Sequence, residues 1–451
     1  MMGIRVEPGL VRRLVPDAFW TLANNLLSVL AALTVVKLVS LLVPAEQYGR
    51  ASLVLGVVAL LGQFIVNPLL TAQLRLYFDD DRPREAARFT RDVRARLARS
   101  SVIMAGGYLL VAVFCGWRGD RTYFALLLPV LILIALTPHL SAALNLLEAR
   151  REYRALAYAQ ILTKIAPAAF LALLLGGKVP GAAAIILAQG LGFALVLSIY
   201  GRSTPRASTA GSSDVASRPA NSSPGGFGSA LYWFNVSSWV MTTSDRYLIE
   251  HFRSTAEVGL YTINYGFWSI PYQMLNAWLE TLVRSRMYSR AAAGDWLTVR
   301  NIVQGRLLLA LGLSVAGTII LFLAGRPLAH AILGEKYWRG LALAMVIAVA
   351  HAFLAIGSSF HGLFIAAKRA STLLWTSAVA ATLNLGFNLW LVREAGILGA
   401  AVSTLIAYAA WALLLALSAR NLLNTLIAGQ ERPGVEPTLP RRQPAQALGA
   451  D

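Results

Sequence analysis

Lys37, Lys164, Asp245, Arg246 and Arg306 stand inside long apolar runs, and any chemistry this chain performs is to be sought there first. Arg246 follows Asp245 in SSWVMTTSDRYLIEHF, Lys37 lies in AALTVVKLVSLLV, Lys164 lies in QILTKIAPAAF beside Pro167, and Arg306 stands near the start of a further run. A Lys, Arg or Asp at mid-membrane costs about 2.5–3.5 kcal/mol on insertion scales, so such groups face an interior or a watery cavity, or reach for the interface. Arg246 therefore has two readings. Either it pairs locally and snorkels outward, or it forms a cationic lumen site with Asp245 as partner or proton-linked switch. Lys37 lies towards the outer half of its run, where snorkelling past Leu41 and Leu42 competes evenly with a role in binding. Lys164 sits deeper, and Arg306 is expected simply to snorkel.

Uncharged polar groups occur in the same runs: Asn24, Asn25, Gln63, Asn67, Asn264, Gln273 and Asn276, with Tyr265, Trp268 and Tyr272. Amides of this kind glue helices together. They also suit a hydroxyl-rich ligand such as a sugar, for which aromatic faces are a second attraction.

Several chemistries are excluded. Gly177-Lys178 is followed by Val179 with no glycine at the upstream position of a phosphate-binding loop, and HExxH, CxxC and GxSxG are absent. The five histidines lack metal-ligand spacing. His351 and His361 share one run and read as ordinary hydrogen-bonded residues, with proton coupling as the alternative. No catalytic residue, metal or cofactor is expected, and the chain is not expected to be an enzyme. A membrane polymerase or similar enzyme of polysaccharide assembly, the rival from another class, needs a sizeable extramembrane region. The longest outer segment, 325–338, is too short for one.

The elements that must position these residues are membrane helices. Of 451 residues 57% are hydrophobic and only 14% charged, with a mean hydropathy of +0.59, whereas a soluble chain carries about 25% charged residues. Apolar runs of about 20 residues, the length needed to cross about 30 Å of hydrocarbon, predict twelve spans. They cover 18–42, 49–71, 100–117, 122–147, 156–176, 180–200, 229–250, 257–282, 301–324, 339–366, 371–392 and 396–419. The first is too long for a signal-peptide core, so no cleavable leader is expected.

Net charge is +18, from 40 Lys+Arg against 22 Asp+Glu. Nucleic acid is not the expected partner, because the excess lies in short segments between spans. Counted on alternate sides of the membrane, 27 basic residues fall on one side and 9 on the other, with four inside spans. That asymmetry places both termini and the segment 201–228 in the cytoplasm. This segment, rich in Ser, Pro and Gly, reads as a flexible linker. It divides a lobe at 1–200 from a second at 229–420, and the polar tail 421–451 is expected to be disordered.

The chain also repeats itself at an offset of 218 residues. Pro180-Gly181-Ala182-Ala183 falls on Leu398-Gly399-Ala400-Ala401, and without a gap Arg150 and Arg151 fall on Lys368 and Arg369. Two six-span halves running in the same direction follow, related by an axis along the membrane normal.

Three stretches resemble a known family: LVPAEQYGRASLV at 42–54, SDRYLIEHFRSTAEVGLYTINYGFWSIPYQML at 244–275 and REAGILGAAVSTLIAY at 393–408. They are similar to the Pro-Glu-x-Tyr-Gly turn, the Asp-Arg and Glu-Val-Gly-x-Tyr pattern, and the Gly-Ile-x-Gly-Ala-Ala pattern of the polysaccharide-transporter flippases. These belong to the multidrug/oligosaccharidyl-lipid/polysaccharide exporter superfamily. The resemblance implies an all-α membrane protein of two six-helix lobes around a central cavity lined by spans one, two, seven and eight, working by alternating access in an inner membrane. It implies a polyprenyl-diphosphate-linked oligosaccharide as substrate, with membrane lipid and other polysaccharide-assembly proteins as partners. Lys37 and Arg246 would lie on cavity helices, Asp245 beside Arg246, and Lys164 outside that set. A drug exporter or a peptidoglycan-precursor flippase of the same superfamily is the nearest alternative.

Overall fold

A computed structural model describes residues 27–67, 69–70, 83–149, 152–201 and 227–430. Its helices are α1 Leu27–Leu42, α2 Ala45–Ile65, α3 Pro83–Trp117, α4 Thr122–Ala125, α5 Leu127–Ala149, α6 Tyr153–Gly176, α7 Gly181–Tyr200, α8 Phe227–Phe252, α9 Thr255–Ala292, α10 Trp296–Ile332, α11 Gly334–Tyr337, α12 Leu341–Ala366 and α13 Ala370–Gln430. No strand occurs among the described residues. The described parts of the expected spans fall on these helices, with 122–147 divided between α4 and α5 and the last two spans on the arms of α13. Among the described residues eight helices are both long and apolar enough to cross a membrane. α8 and α9, at 26 and 38 residues, have the length but carry many of the polar groups singled out above.

Local chemistry sets several ends. Ser254 caps α9, its hydroxyl accepting the Glu257 N–H at 3.2 Å, and the Ser-x-x-Glu spacing is that of a capping box. Asp295 does the same for α10 through the Thr298 N–H at 3.1 Å. α13 is broken at Gly396, where φ is 57° and ψ −133°, a backbone that only glycine adopts without strain. The carbonyls freed before the break are met by Arg253, which donates to Val392 at 3.1 Å and Arg393 at 2.6 Å.

Several boundaries differ from expectation: α9 continues to Ala292 and α10 to Ile332, past the expected ends at 282 and 324. α3 begins at Pro83 rather than near residue 100, with proline in the first turn, where its missing N–H is harmless. α13 continues to Gln430, ten residues into the segment expected to be a polar tail. Leu423 is buried there, and Leu422 and Ile427 pack against the same core, so an apolar stripe carries the helix onward. The rest of the tail, nearly all of the linker, Asn24, Asn25 and Pro68 lie outside the described residues.

The 218-residue offset reappears in the backbone. It carries α5 onto 345–367, α6 onto 371–394 and α7 onto 399–418, which match α12 and the two arms of α13 at most ends to within two residues. Lys178 has φ 61° and Gly396 has φ 57°, left-handed positions separated by the same 218 residues.

Three large apolar cores result among the described residues, beside a small one of Leu140, Leu147, Ala159 and Val196. One, with Leu97, Met104, Tyr108, Val130 and Ile186, lies within the N-terminal half. A second, with Met287, Val299, Phe364, Leu373 and Trp411, lies within the C-terminal half. The third joins the halves, packing Val39 and Val43 with Ile249, Val258, Tyr261, Trp268 and Tyr337.

Candidate functional site

A cavity of about 500 Å³ follows α2 from Tyr48, near the Pro44 turn, to Asn67. The end with the Pro44 and Ser254 turns is called outer here, after the sequence-based topology. Its polar lining comprises Tyr48, Ser52, Gln63 and Asn67 from the α2 segment, Thr137 and Ser141 from α5, Gln189 from α7, Thr243 and Arg246 from α8, and Thr262 from α9. Arg246 is the one charged group among these lining residues, and no carboxylate is present.

The outer end is shut by contacts between the halves. Gly49 and Gly259 let α2 and α9 touch: a Cβ on Gly49 would stand 2.0 Å from the Thr255 carbonyl oxygen, and one on Gly259 would stand 1.9 Å from that of Ala45. Small residues permit such crossings in membrane proteins. The Ser52 and Thr262 hydroxyls meet at 3.0 Å. From α8, Tyr247 donates to the Leu53 carbonyl at 2.8 Å and Trp239 to that of Gly56 at 3.1 Å. Lys336 and Tyr337 both donate to the Val43 carbonyl, at 2.9 Å and 2.7 Å.

The four predicted site residues do not form one cluster. Arg246 lines the cavity, its guanidinium carbon 5.9 Å from the centre of the Tyr265 ring. Its Nε is buried without a hydrogen-bond partner. Asp245, 1% exposed, is turned away. Its Oδ2 accepts the Tyr261 hydroxyl at 2.5 Å and its Oδ1 the Arg246 backbone N–H at 2.8 Å. Successive helical residues point about 100° apart, which is why neighbours in sequence serve different surroundings. Lys37 donates to the Ala331 carbonyl at 2.7 Å, pinning α1 to α10. Lys164 is exposed on α6 and, like Lys37, is not among the lining residues.

Of the uncharged polar residues, Gln63 and Asn67 line the cavity, and the Asn67 amide donates to Gln63. The others bond neighbouring helices or their own turn. Asn264 donates to the Leu260 and Tyr337 carbonyls, each at 2.8 Å, Gln273 to the Ser269 hydroxyl at 2.7 Å, and Tyr265 meets Tyr408 at 2.9 Å. Tyr272 meets Thr318 at 2.7 Å, and Trp268 is buried against Trp338. His351 bonds the Ile347 carbonyl at 3.0 Å, while His361 stacks on Phe234. Arg306 does not snorkel. It is 2% exposed, bonded to Glu280 and, at 3.1 Å, to Asn276. Glu280 on α9 faces it across the helix pair, so inward pairing replaces the route to the interface.

Sequence reasoning missed Tyr48, Ser52, Thr137, Ser141, Gln189, Thr243 and Thr262 in the lining. Hydroxyls are unremarkable in apolar helices because each can bond its own backbone, as Thr137 does to the Leu133 carbonyl at 2.7 Å. The cavity therefore offers hydroxyls, amides and one guanidinium without a hydrogen bond, a setting for a large polar ligand with an anionic group. Among the described residues no group of three or more His, Cys, Asp or Glu could hold a metal ion.

The profile of a family described as "Polysaccharide biosynthesis protein" matches residues 101–342. Among solved structures, the lipid II flippase MurJ in an inward closed conformation superposes with a TM-score of 0.69 at 15% identity, over 94% of each chain. A mutant form of the Vibrio cholerae MATE transporter VcmN gives 0.65 at 14% identity, over 92% of this chain and 98% of its own. An inward-facing multidrug resistance MATE family transporter of the MOP superfamily gives 0.66 at 13% identity, over 91% and 99%. At these identities the likeness is one of fold. No curated protein sequence matches the chain.

Proposed function

Because the chain belongs to the polysaccharide biosynthesis protein family, we propose that it is a flippase carrying a polyprenyl-diphosphate-linked oligosaccharide from the cytoplasmic to the outer leaflet of an inner membrane. Arg246 carries the argument. A guanidinium has five donors and no acceptor, and this one lines a hydroxyl- and amide-rich cavity with no side-chain hydrogen bond and no ion pair among the described residues. A diphosphate supplies the missing acceptors. The amides and hydroxyls along α2 and α5 replace the hydration of sugar hydroxyls, each of which costs about 4–8 kcal/mol to strip bare into an alkane-like medium.

The mechanism needs no covalent step. Substrate enters from the cytoplasmic side, the diphosphate reaches Arg246 near the closed outer end, and the lobes then part along the Gly49–Gly259 crossing. Lys37 has a different part in this reading. Its bond to Ala331 fastens the halves in the outer-closed state. Export of cationic drugs is the poorer fit, because the lining contains a cation and no carboxylate.

The test is flipping of a lipid-linked saccharide in proteoliposomes, scored as its appearance in the outer leaflet. Loss of charge-assisted hydrogen bonds worth about 1.5–3 kcal/mol predicts that Arg246→Ala weakens substrate use about 10- to 150-fold at normal protein levels. Arg246→Lys recovers only part, since an ammonium lacks the planar fork. Unchanged flipping in Arg246→Ala, or export of a cationic dye that depends on Arg246, refutes the reading.

A further inference from the structure

One carboxylate near the cavity has no part in the mechanism so far. Glu250 lies four residues after Arg246 on α8, one turn nearer the outer end. Its Oε1 accepts the Thr255 hydroxyl at 2.8 Å. Its Oε2 is buried without a hydrogen-bond partner. The Nε of Arg246 is buried in the same condition, and no ion pair joins the two residues. Positions i and i+4 of a helix are neighbours, within reach of a salt bridge. Two half-buried, oppositely charged groups thus stand one helical turn apart, each with one buried, unpartnered atom.

We infer that Glu250 is the internal counter-ion of Arg246, competing with the substrate's diphosphate and displacing it at the outer side. This rests on the anion-binding reading of Arg246 given above. Three features favour competition over a permanent pair. Arg before Glu at this spacing is the weaker orientation of such a pair. The Arg246 guanidinium is directed at the cavity and Tyr265, while Thr255 holds one oxygen of Glu250 at the α8–α9 turn. That turn packs on Gly49, because the Thr255 carbonyl oxygen occupies the place a Gly49 Cβ would take. The carboxylate therefore sits where the outer seam must part. Arg246 exchanges a diphosphate for Glu250 as substrate leaves, so an empty outward-open carrier contains no bare cation to recapture the product.

Two substitutions push the competition in opposite directions. Glu250→Gln keeps the shape and the Thr255 bond but removes the competing charge. It is expected to bind farnesyl diphosphate about fivefold or more tightly than the parent, while flipping lipid-linked saccharide more slowly because release is impaired. Thr255→Val unties the carboxylate without removing it and is expected to weaken farnesyl diphosphate binding. Both effects should vanish in an Arg246→Ala background. Binding is measured on the full chain in detergent, with size-exclusion profiles to confirm folding. Equal affinities in Glu250→Gln and the parent, a shift in the same direction from both variants, or an effect that survives Arg246→Ala overturns the inference. If Arg246→Ala alone binds farnesyl diphosphate like the parent, the anion-site reading fails and this inference with it.

Discussion

Gly49→Ala tests whether the outer seam is the surface that opens. The added methyl carbon would stand 2.0 Å from the Thr255 carbonyl oxygen and 3.0 Å from the Gly259 nitrogen. Ordinary contact requires the seam to part by more than about 1 Å, and overpacking of this kind costs about 1–3 kcal/mol. Replacing glycine by alanine within a helix returns at most about 1 kcal/mol. The clash therefore wins, and it acts on the outer-closed state alone. A net bias of about 1–2 kcal/mol multiplies the outer-open population about 5- to 30-fold. The assay places a cysteine at Ser52, on the cavity side of the seam, after Cys115→Ala, and follows labelling by a membrane-impermeant maleimide added outside. Labelling should accelerate by the same factor. Gly266→Ala on α9, whose Cβ meets nothing within 4 Å, should label like the parent. Equal rates in Gly49→Ala and Gly266→Ala, with both proteins folded, would show that the Gly49–Gly259 crossing does not control access.

Three further outcomes follow from the same geometry. With Cys115 replaced, a disulfide between cysteines at Ser52 and Thr262, whose hydroxyls meet at 3.0 Å, should stop flipping until reductant is added. Undiminished flipping by the cross-linked protein means that the seam need not part. Glu280→Gln leaves Arg306 buried without its counter-charge and should destabilise the protein by about 3 kcal/mol, read as a lower unfolding temperature in detergent. Adding Arg306→Met should recover much of that loss. Reporter fusions at Ser212 and after Gln430 should both read cytoplasmic, and an outward signal at either contradicts the basic-residue asymmetry.

Much of the fold was written in the sequence because bilayer thickness is a single length to which every span answers. Runs of about 20 apolar residues located the helices, and an ungapped offset linked α5, α6 and α7 to α12 and the arms of α13. Helix ends were less legible. α13 runs on to Gln430 because Leu423 and its neighbours find a core to cover, a tertiary reason with no local mark. α3 begins at Pro83 within a segment whose many arginines read as a loop, although charge does not preclude helix once the chain has left the bilayer.

The site was harder to see for a reason peculiar to membranes. In a soluble helix the apolar stripe marks the interior, but a lipid-facing surface is as apolar as a core, so periodicity no longer separates inside from outside. Sequence reasoning could place Lys37, Lys164, Asp245 and Arg246 within the membrane without showing which way each one points. Asp245 and Arg246 illustrate the loss. One is bonded to Tyr261 in a packed interior and its neighbour faces the cavity, a difference made by 100° of helical rotation. Counting polar residues in spans likewise gave Asn264, Gln273 and Tyr272, whose bonds run to other helices or their own turn, alongside Gln63 and Asn67, which line the cavity. What separates the two groups is whether the side chain faces the cavity along α2 or a neighbouring helix and its own turn. Several buried polar atoms lack partners, Asn264 Oδ1 and Arg306 Nε among them, but Arg246 alone of these residues lines the cavity, with Glu250 one helical turn away, so this is where a ligand would complete the bonding.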